Sequence, residues 1–165
     1  MGKVKYRIIA LVRRHKNAAH GNDMLRSVAL LLLFGATGCA MPVQEVTPNC
    51  KFQNEATERS IGFCQAVRAG DVLYVSGVTG AAPMETAVPR VYDQLRRILD
   101  ANGLTFADVV KETVYATDLD AFIKVSDARK PFYGSWLPAA TWVQVQRLYM
   151  PSFVVEVELT AHYRK

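Results

Sequence analysis

Histidine is scarce in this 165-residue chain. There are three, and His15 and His20 fall in the first twenty residues while His162 lies near the other end. So scattered, they give no metal-ligand spacing and no base beside a Ser or Cys nucleophile. No metal and no cofactor is expected. Cysteine is as rare, at Cys39, Cys50 and Cys64. No Gly-rich loop cradles phosphate, and there is no internal repeat or low-complexity tract. The longest strongly apolar run, Val28 to Phe34, is far short of the roughly 20 residues that cross ~30 Å of hydrocarbon. An excess of charge is missing where it would matter. The net charge is +5, but residues 1–38 hold seven Lys/Arg and one Asp, leaving thirteen Lys/Arg against fourteen Asp/Glu in residues 39–165. The basic character belongs to the N-terminal segment and gives no argument for nucleic acid as a partner.

What is present begins with that segment. Lys3 to Lys16 is basic, the short apolar run follows, and then come the small residues Gly35-Ala-Thr-Gly38 and Cys39. A basic start, a short apolar core and small residues make a signal peptide. Ala36-Thr-Gly-Cys39 resembles a bacterial lipobox, with Ala36 where Leu usually stands. Residues 1–38 are therefore expected to be a lipoprotein-type targeting segment, with Cys39 lipidated and the chain held on the periplasmic face of the envelope, at the outer membrane. Met24, directly before Leu25-Arg26 and the apolar run, makes an alternative start. Residues 39–49 carry Pro42 and Pro48 and are expected to be a tether. The folded domain is expected over 50–165. In an oxidising compartment Cys50 and Cys64 either form a disulfide or remain two partly buried thiols.

The organising stretch is the closing one. Ala139–Arg147 and Phe153–His162 alternate with period two and are read as a hairpin across Tyr149-Met-Pro-Ser152. Val143, Val145, Val155, Val157 and Leu159 are assigned to the core face. Trp142, Gln144, Gln146, Glu156 and Glu158 are assigned to the other, a half-polar surface of the kind that meets a ligand or another subunit. Upstream, Lys51–Asn54 is expected as a strand, and Phe63–Ala69 with Val72–Val78 as a hairpin. Thr79 to Ala87 is expected as a loop and Val88–Ala101 as a helix with Pro89 in its first turn. A capping box at Thr105 to Asp108 precedes a strand over Val109–Thr117. A second helix is capped by Asp118 or Asp120, and Pro131 ends or kinks it. Two helices on one face of a mixed six-stranded sheet make an α+β layout.

Gln65-Ala-Val67, Leu73-Tyr-Val-Ser-Gly77, Asp108-Val-Val-Lys111, Thr113-Val-Tyr115, Thr117-Asp118 and Val155-Glu-Val-Glu158 occur in order. Together they resemble the RidA (YjgF-type) family of reactive-intermediate deaminases, over about residues 50–163. The resemblance implies the chorismate-mutase-like RidA fold, a homotrimer with clefts between subunits, and hydrolysis of 2-imino or 2-enamino acids to 2-keto acids and ammonia. It implies an arginine that grips the substrate carboxylate, a role suited to a planar guanidinium.

This chain departs from that pattern. The anchor segment is Pro138-Ala139-Ala140-Thr141, with Ala140 in the arginine's place. Phe63 replaces a tyrosine, Ser126 an asparagine and Trp142 a common cysteine. Ser76, Gly77 and Glu156 remain, and Glu156 matches the acid that positions water or the departing nitrogen. The candidate site is thus catalytic Glu156 with Phe63, Ser76, Gly77, Ser126, Ala140, Thr141 and Trp142 as substrate-binding positions. A lost charge-assisted contact costs at least about tenfold in affinity, and an anion facing Glu156 fares worse. The function expected is binding or hydrolysis of a small molecule without standard 2-imino acid deaminase activity. If there is catalysis, it is hydrolysis of the imine or enamine type. The alternatives are a weak imine/enamine deaminase and a non-catalytic structural trimer.

Overall fold

Phe153–His162 follows every other strand in sequence and lies in the middle of the sheet. The computed structural model describes residues 47–164. The expected targeting segment 1–38, Met24, Cys39 and the expected tether up to residue 46 lie outside the described residues. In chain order the strands are β1 (Asn49–Lys51), β2 (Ala66–Ala69), β3 (Val72–Ala81), β4 (Val109–Ala116), β5 (Ala139–Gln144) and β6 (Phe153–His162). They form one mixed sheet of order β1-β2-β3-β6-β4-β5. The helices are α1 (Glu55–Ile61), α2 (Met84–Ala101), α3 (Leu119–Val125) and α4 (Lys130–Tyr133), with 3-10 turns at Phe106–Asp108 and Ser126–Arg129. The architecture is α+β.

The core face is built as alternation requires. Val155, Val157, Leu159 and Ala161 of β6 are buried beside Val75 and Val78 of β3 and Val109, Val114 and Ala116 of β4. α2 lays Ala87, Val88, Val91, Leu95 and Leu99 against them. Each Val or Leu side chain contributes about 1.5–3 kcal/mol when removed from water, so the α2 stripe accounts for much of the fold's cohesion.

The closing hairpin is corrected. β5 pairs with β4, in parallel, from Lys111↔Ala139 to Ala116↔Gln144. β6 runs antiparallel between β3 and β4. Parallel neighbours need a crossover, and α3 and α4 supply it between β4 and β5. The register also reassigns the faces of β5. Trp142 sits beside Val114, and Gln144 beside Ala116, on the helix side; Gln144 accepts a hydrogen bond from the Leu119 amide there, at 3.1 Å. Val143 pairs with Tyr115 on the open face. The half-polar surface exists, but it is made of Tyr74, Lys111, Thr113, Tyr115, Glu156, Glu158 and Thr160.

Other expectations change at element ends. The first strand is Asn49–Lys51 rather than Lys51–Asn54, and α1 fills the stretch before Phe63 for which no element was expected, capped by the Asn54 side chain on the Thr57 amide and closed by Gly62 at φ +96°, a left-handed value suited to glycine. β3 runs on to Ala81 and α2 starts at Met84, so Thr79–Ala87 is no loop. Pro89 therefore stands inside α2 rather than in its first turn. The Thr105–Asp108 capping box and the Asp118 cap are present as expected. α3 ends six residues before Pro131, which opens α4 instead. Cys50 and Cys64 are bridged, Cα–Cα 5.6 Å.

Candidate functional site

β3 leaves its ladder with β6 between Val75 and Val78, at Ser76-Gly77. The bulge re-aims the strand, and its groups are bonded to the preceding segment: Ser76 N donates to Gln65 O at 2.9 Å, and Ser76 Oγ to Cys64 O at 2.7 Å. Gly77 leaves room that Glu156 fills. A Cβ there would meet the Glu156 carboxyl carbon at 2.6 Å, so a side chain at 77 and this pose of Glu156 exclude each other.

Around this pair lies a hollow of about 460 Å³, in the range of small-molecule sites. Ser76, Gly77, Thr79 and Glu156 make its polar floor; Ile61 and Phe63 form one wall, and Tyr149, Met150 and Phe153 the other. The first wall hangs on α1 and is fixed from three directions. The disulfide ties Cys64 to β1, Ser76 holds the Cys64 carbonyl, and the buried Glu58 carboxylate accepts from the amides of Gln53, Asn54 and Gln65 at 2.9, 2.6 and 2.8 Å. The second wall comes from the turn that precedes β6.

Glu156 is half-buried, and burial raises its pKa, with the Glu158 charge adding to the rise. Such a carboxyl holds a proton more readily than an exposed one, the property of an acid/base group. Tyr115 pairs with Glu156 across β4 and β6, and its hydroxyl donates to Glu158 at 3.1 Å. Its pKa is raised, by burial first and then by the hydrogen bond to Glu158.

Of the sequence candidates, the structure brings Phe63, Ser76, Gly77 and Glu156 together. Ala140 and Trp142 lie two strands away, on the helix side of β5. Thr141 is on the open face, where it accepts a hydrogen bond from Lys111 Nζ. Ser126 starts a 3-10 turn and donates to Ile123 O at 2.8 Å. The wall residues Ile61, Tyr149, Met150 and Phe153, and Thr79 on the floor, escaped the sequence reading. Tyr149 and Met150 carried one signal, two large apolar residues in a turn with nothing beneath them.

Trp142 belongs to a separate cluster. Glu112 is fully buried on β4. It accepts from Tyr92 at 2.8 Å, Tyr133 at 2.7 Å and Trp142 Nε1 at 3.2 Å, and pairs with Arg129 at 3.3 Å. The Arg129 guanidinium lies 4.8 Å from the Trp142 ring centroid, and Trp142 packs edge-on against Phe122. Burial, reinforced by Glu112, pushes the Tyr92 and Tyr133 pKa values up. A buried charge so fully partnered is held structurally. Among the described residues no group of three or more His, Cys, Asp or Glu is placed to hold a metal, and no helix is long and apolar enough to cross a membrane.

Comparison with known proteins completes the picture. The family model described as Endoribonuclease L-PSP matches residues 54–163. A RutC family protein of Pyrococcus abyssi is 30% identical over 118 residues, covering 66% of this chain and 92% of that protein. A 2-iminobutanoate/2-iminopropanoate deaminase of Dermatophagoides farinae is 26% identical over 95 residues, covering 52% of this chain and 74% of that one. Among solved structures, a member of the YjgF/YER057c/UK114 family from Mycobacterium tuberculosis superposes with a TM-score of 0.65 at 26% identity, covering 70% of this chain and 99% of its own.

Proposed function

The chain belongs to the Endoribonuclease L-PSP family, and from that premise we propose that it is an envelope-anchored member binding or hydrolysing a small molecule at Glu156, without standard 2-imino acid deaminase activity. One observation carries the proposal. The hollow keeps a protonatable acid seated on Gly77, while among the described residues lining it there is no Lys or Arg to receive a carboxylate. Ala140, at the position where the resemblance implies the gripping arginine, is consistent with that loss. We assign the protein a homotrimeric state, in which the open sheet face is covered by neighbouring copies; Tyr74, exposed in the single chain, belongs to that face. Anchoring through Cys39 is supported by the lipobox-like sequence. The Cys50–Cys64 bridge agrees with an oxidising compartment.

The test is hydrolysis of 2-iminopropionate by the purified protein. The wild type should accelerate it little or not at all above buffer, and Ala140→Arg, whose side chain in the proposed trimer would reach the hollow of a neighbouring copy, should raise the rate. Robust wild-type turnover, abolished by Glu156→Ala, overturns the proposal. A slow imine/enamine deaminase yielding 2-keto acid and ammonia is the second reading. Its support is the raised pKa of Glu156, which suits proton transfer to a departing nitrogen.

A further inference from the structure

Resting on the reading that the hollow at Glu156 is a ligand site, we propose that it takes an organic cation, an ammonium or iminium group on an apolar body, and rejects carboxylates. The polarity of the floor carries the argument. Glu156 is the one charged side chain among the described residues lining the hollow. Ser76 Oγ spends its proton on Cys64 O, and Ser76 N spends its own on Gln65 O, so towards a ligand the Ser76 hydroxyl can only accept. Thr79 supplies the floor's one neutral hydroxyl free to donate or accept, and Tyr149 brings a second to the wall. A floor rich in acceptors and poor in donors matches a head group made of donors. An ammonium has up to three N–H donors and no acceptor, whereas a carboxylate has only acceptors.

The walls agree. Phe63, Tyr149 and Phe153 bring three aromatic rings to the hollow, and aromatic faces attract cations through their quadrupole. Ile61 and Met150 offer contact for an apolar body. Gly77 holds the carboxylate deep against the strand instead of letting it swing into solvent, so the cation's charge is met inside the hollow rather than at its rim.

Three probes that share a phenethyl body and differ in head group test this by titration calorimetry on the full-length protein at pH 8: phenethylammonium, 2-phenylethanol and 3-phenylpropionate. The ammonium should bind about tenfold or more tighter than the alcohol, the value of one charge-assisted contact, and the carboxylate should not bind measurably. Glu156→Gln should abolish the preference for the ammonium over the alcohol, and an unchanged far-ultraviolet circular dichroism spectrum reports that the variant is folded. Equal affinity for ammonium and alcohol in the wild type overturns the cation assignment while the hollow stands as a ligand site. Preference for the carboxylate overturns it in favour of an imino-acid site. Failure of all three probes removes the hollow as a ligand site, and with it the function proposed above.

Discussion

A methyl group at position 77 would press on the carboxyl carbon of Glu156 at 2.6 Å, so Gly77→Ala forces the flexible acid to move while the backbone can stay. The expected outcome is a folded protein, with its far-ultraviolet circular dichroism unchanged, whose affinity for phenethylammonium falls to that of Glu156→Gln. Wild-type affinity in Gly77→Ala would mean that the acid does not act from this pose. Glu156 also leaves a mark on stability. It faces Glu158 along its strand and Tyr115 from β4, and its folded pKa lies above the ordinary value near 4.3. Over the interval between those values the folded chain holds a proton that the unfolded chain has released. The favourable contribution is therefore present at low pH and is lost as pH rises through the folded pKa. Glu156→Gln should be more stable than the wild type at pH 8, by a margin that shrinks towards pH 4 in urea titrations. At this scale Ser76, Gly77 and Glu156 were legible because alternation and motif agree on them. The face of Trp142 was not, because a strand with Val143 and Val145 beside an indole alternates equally well either way up. Only the pairing of Trp142 with Val114 decides it.

α1 and the strands that flank it depend on a bridge closing a loop of 14 residues in sequence separation. A loop of that size is worth roughly 3 kcal/mol by chain entropy, which for a domain of this size is on the order of 10 °C in melting temperature. Thermal unfolding with and without reductant, and of Cys50→Ser with Cys64→Ser, should show that loss. An unchanged midpoint would mean that Glu58 and its three amides hold the segment unaided. The Glu112 cluster joins β4, α2, α4 and β5 in the same way. Glu112→Ala strands a mostly buried Arg129 and should cost about 3–5 kcal/mol, read as a lowered urea midpoint. Trp142→Cys breaks into this cluster, so restoring a grip by Ala140→Arg should leave Trp142 in place. α1 was readable from its caps, Asn54 and Gly62, but Glu55–Ile61 has no apolar stripe and so no period to notice. The β5–β6 connection was misread for another reason. Two alternating strands beside a turn look alike whether they pair with each other or straddle a third. The helices between β4 and β5 were the available sign of a parallel pair.

The open face of the sheet, from Tyr74 through Lys111 and Tyr115 to Glu158, mixes aromatic and charged groups and carries no helix, the kind of surface that a neighbouring copy covers. Full-length protein in detergent should sediment as a trimer after correction for bound detergent, and a monomer at micromolar concentration would contradict the assembly proposed here. The fold class was legible because α2 announces itself by a helical stripe and β6 by strict alternation. The strand order was not, because it is a property of pairing across the whole chain. That order bears on how the protein is made. β6 is the last strand in sequence and the one that joins β3 to β4, so the sheet cannot close until residues 153–162 have left the ribosome. Until then the growing chain has its α2 stripe and two separate halves of a sheet, with nothing to zip them. Under the export proposed above, such a delay would favour passage of the chain through a narrow membrane pore. The closing of this sheet is set by topology: β3 and β4 have no ladder between them until β6 is in place.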